Sequence, residues 1–190
     1  MTKKNSYKKI FTQQGELGKV QKTPNLDFLM NIFNIPRIYG VSGFGKWNVG
    51  QHSLCTAFIA LYWAKFKKYS NGKRDQLVTL AITHDLHEAV TGDILPFFKT
   101  PDARKMIDFI QKDLENFFAI SYTQELKKEL KLIDMVSFLY EIKSSDSSRE
   151  EKANLLKQIY ARQRSDIFIY IKKAGFEKRV VEEFLKTLDL

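Results

Sequence analysis

Apolar residues recur along this chain at helical spacing, and no segment shows convincing period-two alternation. The pattern predicts seven helices. Thr23-Pro24 reads as the N-cap and first residue of a short helix to about Phe33, with Leu26, Leu29, Met30 and Phe33 on one face. A loop marked by Pro36, Gly40, Gly43, Gly45 and Gly50 leads into a long amphipathic helix over 51–69, stopped by Ser70-Asn71-Gly72. The next helix covers 74–90 and stops at Thr91-Gly92-Asp93. Thr100-Pro101-Asp102 starts a fourth helix to about Ile120, and Thr123 caps a fifth to about Lys143. After a polar break over 144–148 come helices over 149–173 and 177–188, separated by Gly175. The expectation is an all-α, single-domain compact bundle over 23–190, without repeats or a low-complexity linker.

Three of these helices turn ionisable where they should face the core. Leu77, Leu80 and Ala81 define a stripe that His84, Asp85 and Glu88 continue. His52 begins the stripe carried on by Cys55, Thr56, Ile59, Ala60 and Trp63. Asp134 shares its stripe with Leu126, Leu130 and Phe138. A lone buried carboxylate costs several kcal/mol unless it is paired or neutralised. One cation shared by His52, His84, Asp85 and Asp134 resolves all three anomalies, and two imidazoles with two carboxylates suit Mn²⁺, Co²⁺, Fe²⁺, Zn²⁺ or Ni²⁺. Such an ion keeps open positions for water, which points to hydrolysis. Glu88, on the face of His84 and Asp85, is the candidate general acid/base.

Composition narrows the setting. At 190 residues and 44% hydrophobic, the chain suffices for one well-buried domain. Its only cysteine, Cys55, lies on an apolar helix face, so neither a disulfide framework nor a cysteine-rich zinc site is expected. The polar, basic start lacks the apolar core of a signal peptide and no run approaches a membrane span, so the expected location is cytoplasmic with no membrane partner. The net charge is +9, and residues 1–22 hold six lysines and one glutamate, so over half the excess sits in a tail expected to be solvated and partly disordered. Without a zinc knuckle, an RNP motif or a basic helix interleaved with aromatics, the charge suits an anionic small substrate better than a specific nucleic acid.

His52, His84-Asp85 and Asp134 match the H...HD...D signature of the HD-domain phosphohydrolase superfamily, which the chain resembles. More narrowly, Asn48-Val49-Gly50-Gln51-His52-Ser53-Leu54 and the run from His84 to Thr91-Gly92-Asp93 are similar to segments of the bacterial 5′-deoxynucleotidases. The resemblance covers roughly residues 26–145. It implies an HD-domain helical bundle with one divalent ion, Co²⁺ or Mn²⁺ first and Mg²⁺ also in range, a deoxynucleotide substrate, and a homo-oligomer, dimer or larger. Arg37, fifteen residues before His52, matches the family's phosphate-binding arginine. Asp93 matches the carboxylate that serves the deoxyribose and the catalytic surroundings. Ile38 stands where the family usually has Trp, and Lys46-Trp47 where acidic residues are common, so these positions bear on base and phosphate number. The implied reaction is removal of the 5′-phosphate from 2′-deoxynucleoside monophosphates. The alternatives are a dATP-type triphosphohydrolase, which an added lysine favours, and a noncatalytic nucleotide-sensing module, which the intact ligand set argues against.

Several positions also have bland readings. Asp93 suits the turn after Gly92, Trp47 and Phe44 pack under a loop as readily as they stack on a base, and Glu88 could pair with a surface lysine. The stripe Phe109, Leu114, Phe117, Phe118 reads as core or subunit interface. His87, about 60° from His84 around an α-helix, is expected at a site rim or the surface.

Overall fold

The computed structural model describes residues 26–37, 47–94, 99–145 and 150–190. The tail 1–22 and the expected substrate positions Ile38 and Lys46 lie outside them. The fold is all-α: α1 Leu26–Met30, a 3-10 turn Asn31–Asn34, α2 Val49–Phe66, α3 Asn71–Thr83, α4 Glu88–Thr91, α5 Pro101–Phe117, α6 Gln124–Ser144, α7 Glu150–Ala174 and α8 Lys178–Thr187. Among the described residues the extended pairing is a lone bridge between Pro36 and Asn48.

These elements fall into two compact units. The first comprises Met1–Ser42, Asn48–Gln51 and Thr83–Ile120. Ile32, Val49, Leu86, Ile110 and Leu114 form its buried core, with Phe28, Leu29, Ile35 and Phe109 packed against it. The expected stripe of the first helix is corrected here. Leu26, Met30 and Phe33 are exposed while Ile32 is buried; the chain tightens into the 3-10 turn after Met30, which rotates Phe33 off the face that a continued α-helix would give it. Asn48 and Gln51 open α2 with a reciprocal cap: Gln51 Oε1 accepts from Asn48 N at 3.0 Å, and Asn48 Oδ1 accepts from Gln51 N at 2.8 Å. Next to this cap, a Cβ added at Gly50 would meet the Phe33 ring at 2.5 Å, so only glycine lets the first turn of α2 seat there. In α5, Thr100 accepts from Ala103 N at 3.2 Å, as its N-cap role predicts. Of the aromatic stripe, Leu114 is core while Phe117 and Phe118 are exposed.

The helix expected over 74–90 is also corrected. It begins at Asn71, ends at Thr83, and gives way to a turn over 84–87. Leu86, Glu88, Ala89 and Val90 donate to the carbonyls of Thr83, Asp85, Leu86 and His87, each three residues back. The tighter winding buries Leu86, His87 and Glu88 in succession, more than the stripe of a regular helix covers.

The second unit comprises Gly43–Trp47, His52–Ile82 and Ser121–Leu190. Leu132, Val136, Leu139, Ile167, Ile171, Val181, Phe184 and Leu185 are buried in it. Trp63 packs edge-on against Phe184 at 4.8 Å between ring centroids and stacks on Phe66 at 6.0 Å. Its indole Nε1 donates to buried Glu129 at 3.2 Å, and Tyr69 and Lys73 also donate to that carboxylate. Thr123 caps α6 as expected, accepting from Leu126 N at 3.2 Å. Two expectations on α2 change. It stops at Phe66 because Lys68 takes a positive φ of 54°, leaving Ser70-Asn71-Gly72 to begin α3 rather than end α2. It is also not amphipathic: Leu54, Phe58, Leu61 and Tyr62 are exposed, opposite the buried Ile59, Ala60 and Trp63.

Candidate active site

In the second unit, α2 and α6 carry one half of the expected ligand set. His52 is fully buried, and its Nε2 lies 3.2 Å from Asp134 Oδ1 on α6. Asp134 is only half-buried, and its other oxygen accepts from Lys131 Nζ at 2.7 Å. The opposite ring nitrogen, Nδ1, is hydrogen-bonded to Glu141 Oε1, and both partners are buried. A neutral imidazole has one N–H and satisfies one of these carboxylates. With the proton on Nδ1, the Nε2 lone pair faces a carboxylate oxygen, a repulsive contact unless a positive charge lies between them. Two ligands of one ion at about 2.1 Å stand roughly 2.9–3.4 Å apart, so the 3.2 Å spacing fits a shared cation. Behind them, Thr56 Oγ1 lies 2.9 Å from both the His52 carbonyl and Ser137 Oγ, and Ser137 Oγ donates to the Asp134 carbonyl at 2.8 Å.

The first unit carries the other half in the tight turn after α3. His84 Nε2 lies 3.1 Å from Asp85 Oδ2, again the spacing of two ligands on one ion. Arg37 Nη1 stands 3.6 Å from that same carboxylate oxygen, with both side chains mostly buried. The arginine expected to bind phosphate is thus held beside an expected metal ligand within one unit. Glu88 is buried, not paired with a surface lysine, and its Oε2 has no hydrogen-bond partner. Burial, with the charges of Asp85 and Asp93 adding to it, pushes its carboxyl up to about 9. Asp93 follows Gly92, whose φ of 70° turns the chain, and it is half-buried.

His87 departs from the expectation of a rim or surface position, because in a 3-10-like turn residues three apart align. It is buried, and burial holds its imidazole below the usual range. Its Nδ1 lies 3.3 Å from Gln111 Oε1, and Gln111 Nε2 donates to the Thr83 carbonyl at 3.1 Å. Its Nε2 is without a partner, 4.0 Å from Glu88 Oε1. Asp85, His87 and Glu88 therefore bring three potential donor atoms within 4.8 Å of one another.

Trp47 packs edge-on against Tyr140 with centroids 6.3 Å apart, so one of its two expected roles, packing, is met within the second unit. Cys55 is held up to about 11 by burial, an inert thiol. Glu141 was not singled out from the sequence. A signal existed, because it lies seven residues after Asp134 and so returns to the same face of α6.

The chain matches the model of the family described as 5′-deoxynucleotidase YfbR-like over residues 26–159. Among solved structures it is similar to a cyanophage S-2L HD phosphohydrolase (DatZ) bound to dA and one catalytic Zn²⁺ ion, with a TM-score of 0.71 at 15% identity over 88% of this chain and 95% of that one. At that identity the likeness establishes the HD-domain helical fold. No curated protein sequence matches the chain.

Proposed function

This chain belongs to the YfbR-like 5′-deoxynucleotidase family, and we propose that it hydrolyses the 5′-phosphate of 2′-deoxynucleoside monophosphates at one divalent ion held by His52, His84, Asp85 and Asp134. The carrying observation is the pair of imidazole–carboxylate sets, His52 with Asp134 and His84 with Asp85, spaced at 3.2 and 3.1 Å as ligands of an ion are. When bound, such an ion would neutralise phosphate oxygens and lower the pKa of a bound water toward about 7. Arg37 grips the phosphate with its planar fork of donors. Glu88, protonated by its burial, gives a proton to the departing 5′-oxygen. Asp93 contacts the deoxyribose, and Ile38, Lys46 and Trp47 set base and phosphate number. Co²⁺ or Mn²⁺ is the expected ion, and the Zn²⁺ and dA of the cyanophage relative support a single metal beside a deoxynucleoside. No helix among the described residues is long and apolar enough to cross a membrane; the place of action proposed for the chain is the cytoplasm.

The second reading, a triphosphohydrolase, draws on Lys46 and the net charge of +9. Incubating dNMP and dNTP side by side with Mn²⁺ or Co²⁺ separates the two. Orthophosphate released from dNMP is the expected product, and inorganic triphosphate from dNTP alone would reject the monophosphate reading.

We propose further that copies of the chain associate through the outward face of α2. Leu54, Phe58, Leu61 and Tyr62 are 40–56% exposed on one stripe, and no Asp, Glu, Lys or Arg occurs between Gln51 and Lys65. An uncharged stripe lets copies of a +9 chain meet two-fold without placing charge on charge. Light scattering should give a dimer or larger, falling to monomer for Phe58→Glu with the melting temperature kept. An oligomer unchanged by Phe58→Glu places the interface elsewhere.

A further inference from the structure

We propose that Glu141 is a positioning residue that fixes the tautomer and strength of His52 as a metal ligand. The inference rests on the reading that His52 and Asp134 hold the ion. His52 has two neighbouring acceptors at Nδ1, Glu141 Oε1 and, at 3.4 Å, Ser137 Oγ. The serine hydroxyl donates its proton to the Asp134 carbonyl, and a carboxylate can only accept. In the neutral ring that ligates an ion, the proton between His52 and Glu141 therefore sits on Nδ1, which leaves the Nε2 lone pair for the ion on the Asp134 side.

A glutamate is an expensive way to make that hydrogen bond. Glu141 is 1% exposed and sits among Val136, Ser137, Leu139 and Ile142 on the buried side of α6. A glutamine carbonyl would accept the same N–H without burying a charge, at several kcal/mol less desolvation cost. The negative charge makes the ring a stronger donor at its far nitrogen, as carboxylate–histidine–metal triads do, where losing the outer carboxylate costs 10–100-fold in metal affinity. The geometry supports the division of labour: Asp134 is half-buried and 3.2 Å from Nε2, on the ligand side, while Glu141 is enclosed on the other.

The test is titration of the metal-free full chain with Co²⁺ alone, read by calorimetry and by the visible spectrum of the bound ion. The wild type should bind Co²⁺ and Asp134→Ala should lose it. Glu141→Gln should bind 10–100-fold more weakly with its melting temperature at or above that of the wild type, and Glu141→Leu more weakly still. If Glu141→Gln and Glu141→Leu bind as the wild type while Asp134→Ala does not, the role of Glu141 is overturned and the ligand set stands. If Asp134→Ala binds as the wild type, the ligand set falls and this inference falls with it. A measurement on the unmutated chain guards against a variant that fails to fold. In Zn²⁺-loaded protein, ¹⁵N shifts should show His52 protonated at Nδ1 and ligated through Nε2, and the reverse assignment overturns the proposal.

Discussion

Asp85→Ala is expected to abolish turnover, by about 10³-fold or more in kcat/KM, while the chain stays folded. A catalytic ion contributes several kcal/mol of charge stabilisation in the transition state, and each 1.36 kcal/mol is tenfold in rate. Asp85 has two roles to lose at once. Its Oδ2 lies 3.1 Å from His84 Nε2 and 3.6 Å from Arg37 Nη1, so removing it weakens the hold on the ion and takes one anchor from the arginine that is to meet the phosphate. The side chain lies in the turn outside the apolar core of its unit, so the circular dichroism of the metal-free protein should remain that of a folded helical chain, even where loss of the Arg37 contact lowers its melting temperature. Turnover of dNMP with Mn²⁺ or Co²⁺ and bound-metal stoichiometry check the prediction together. Unchanged turnover would contradict the mechanism.

Glu88→Gln should separate proton transfer from metal binding. The amide keeps the size of the side chain but cannot supply a proton, so kcat should fall about 10²–10⁴-fold with Co²⁺ affinity kept. Loss of the metal in Glu88→Gln would instead make Glu88 a ligand. The same variant carries a pH signature in the metal-free protein. The carboxyl stands near 4.5 when the chain is unfolded and about 9 when it is buried. The unfolded state therefore gives up its proton first, and folding stability falls as pH rises through that window. The contribution is fully present below 4.5 and gone above about 9. Glu88→Gln should flatten this slope, seen as melting temperatures that converge with wild type at low pH and exceed it at high pH.

Much of this was legible in the sequence where local signals and tertiary packing agree. Thr100 and Thr123 cap the helices they were expected to cap, and Gly175 takes the positive φ of 82° that a helix end favours. His52 and Asp134 stood out because they interrupt apolar stripes, and the fold pairs them. The misplacements of Phe33 and His87 share a cause. Every face angle assumed a regular α-helix, whereas the chain tightens at Asn31–Asn34 and again over 84–87. That placed Phe33 inside and His87 outside, the reverse of their burial. In α2, apolar residues on both sides left periodicity with no direction to report. Glu141 is harder to see in the sequence because it stands behind a ligand, and no motif marks the partner of a ligand's far nitrogen.

The polar contacts between α2 and α6 have a consequence beyond the ion. They recur as three rungs along antiparallel helices: Trp63 with Glu129, Thr56 with Ser137 and His52 with Glu141. The outer rungs stand about 16 Å apart at 1.5 Å per residue. Leu, Ile and Val tolerate a slide of one turn by trading one hole for another, but each rung would then strand a buried donor or carboxylate, at about 1–3 kcal/mol or more apiece. The register of the helix pair is thereby locked along its length. His52 meets Asp134 because Trp63, at the far end, can meet only Glu129.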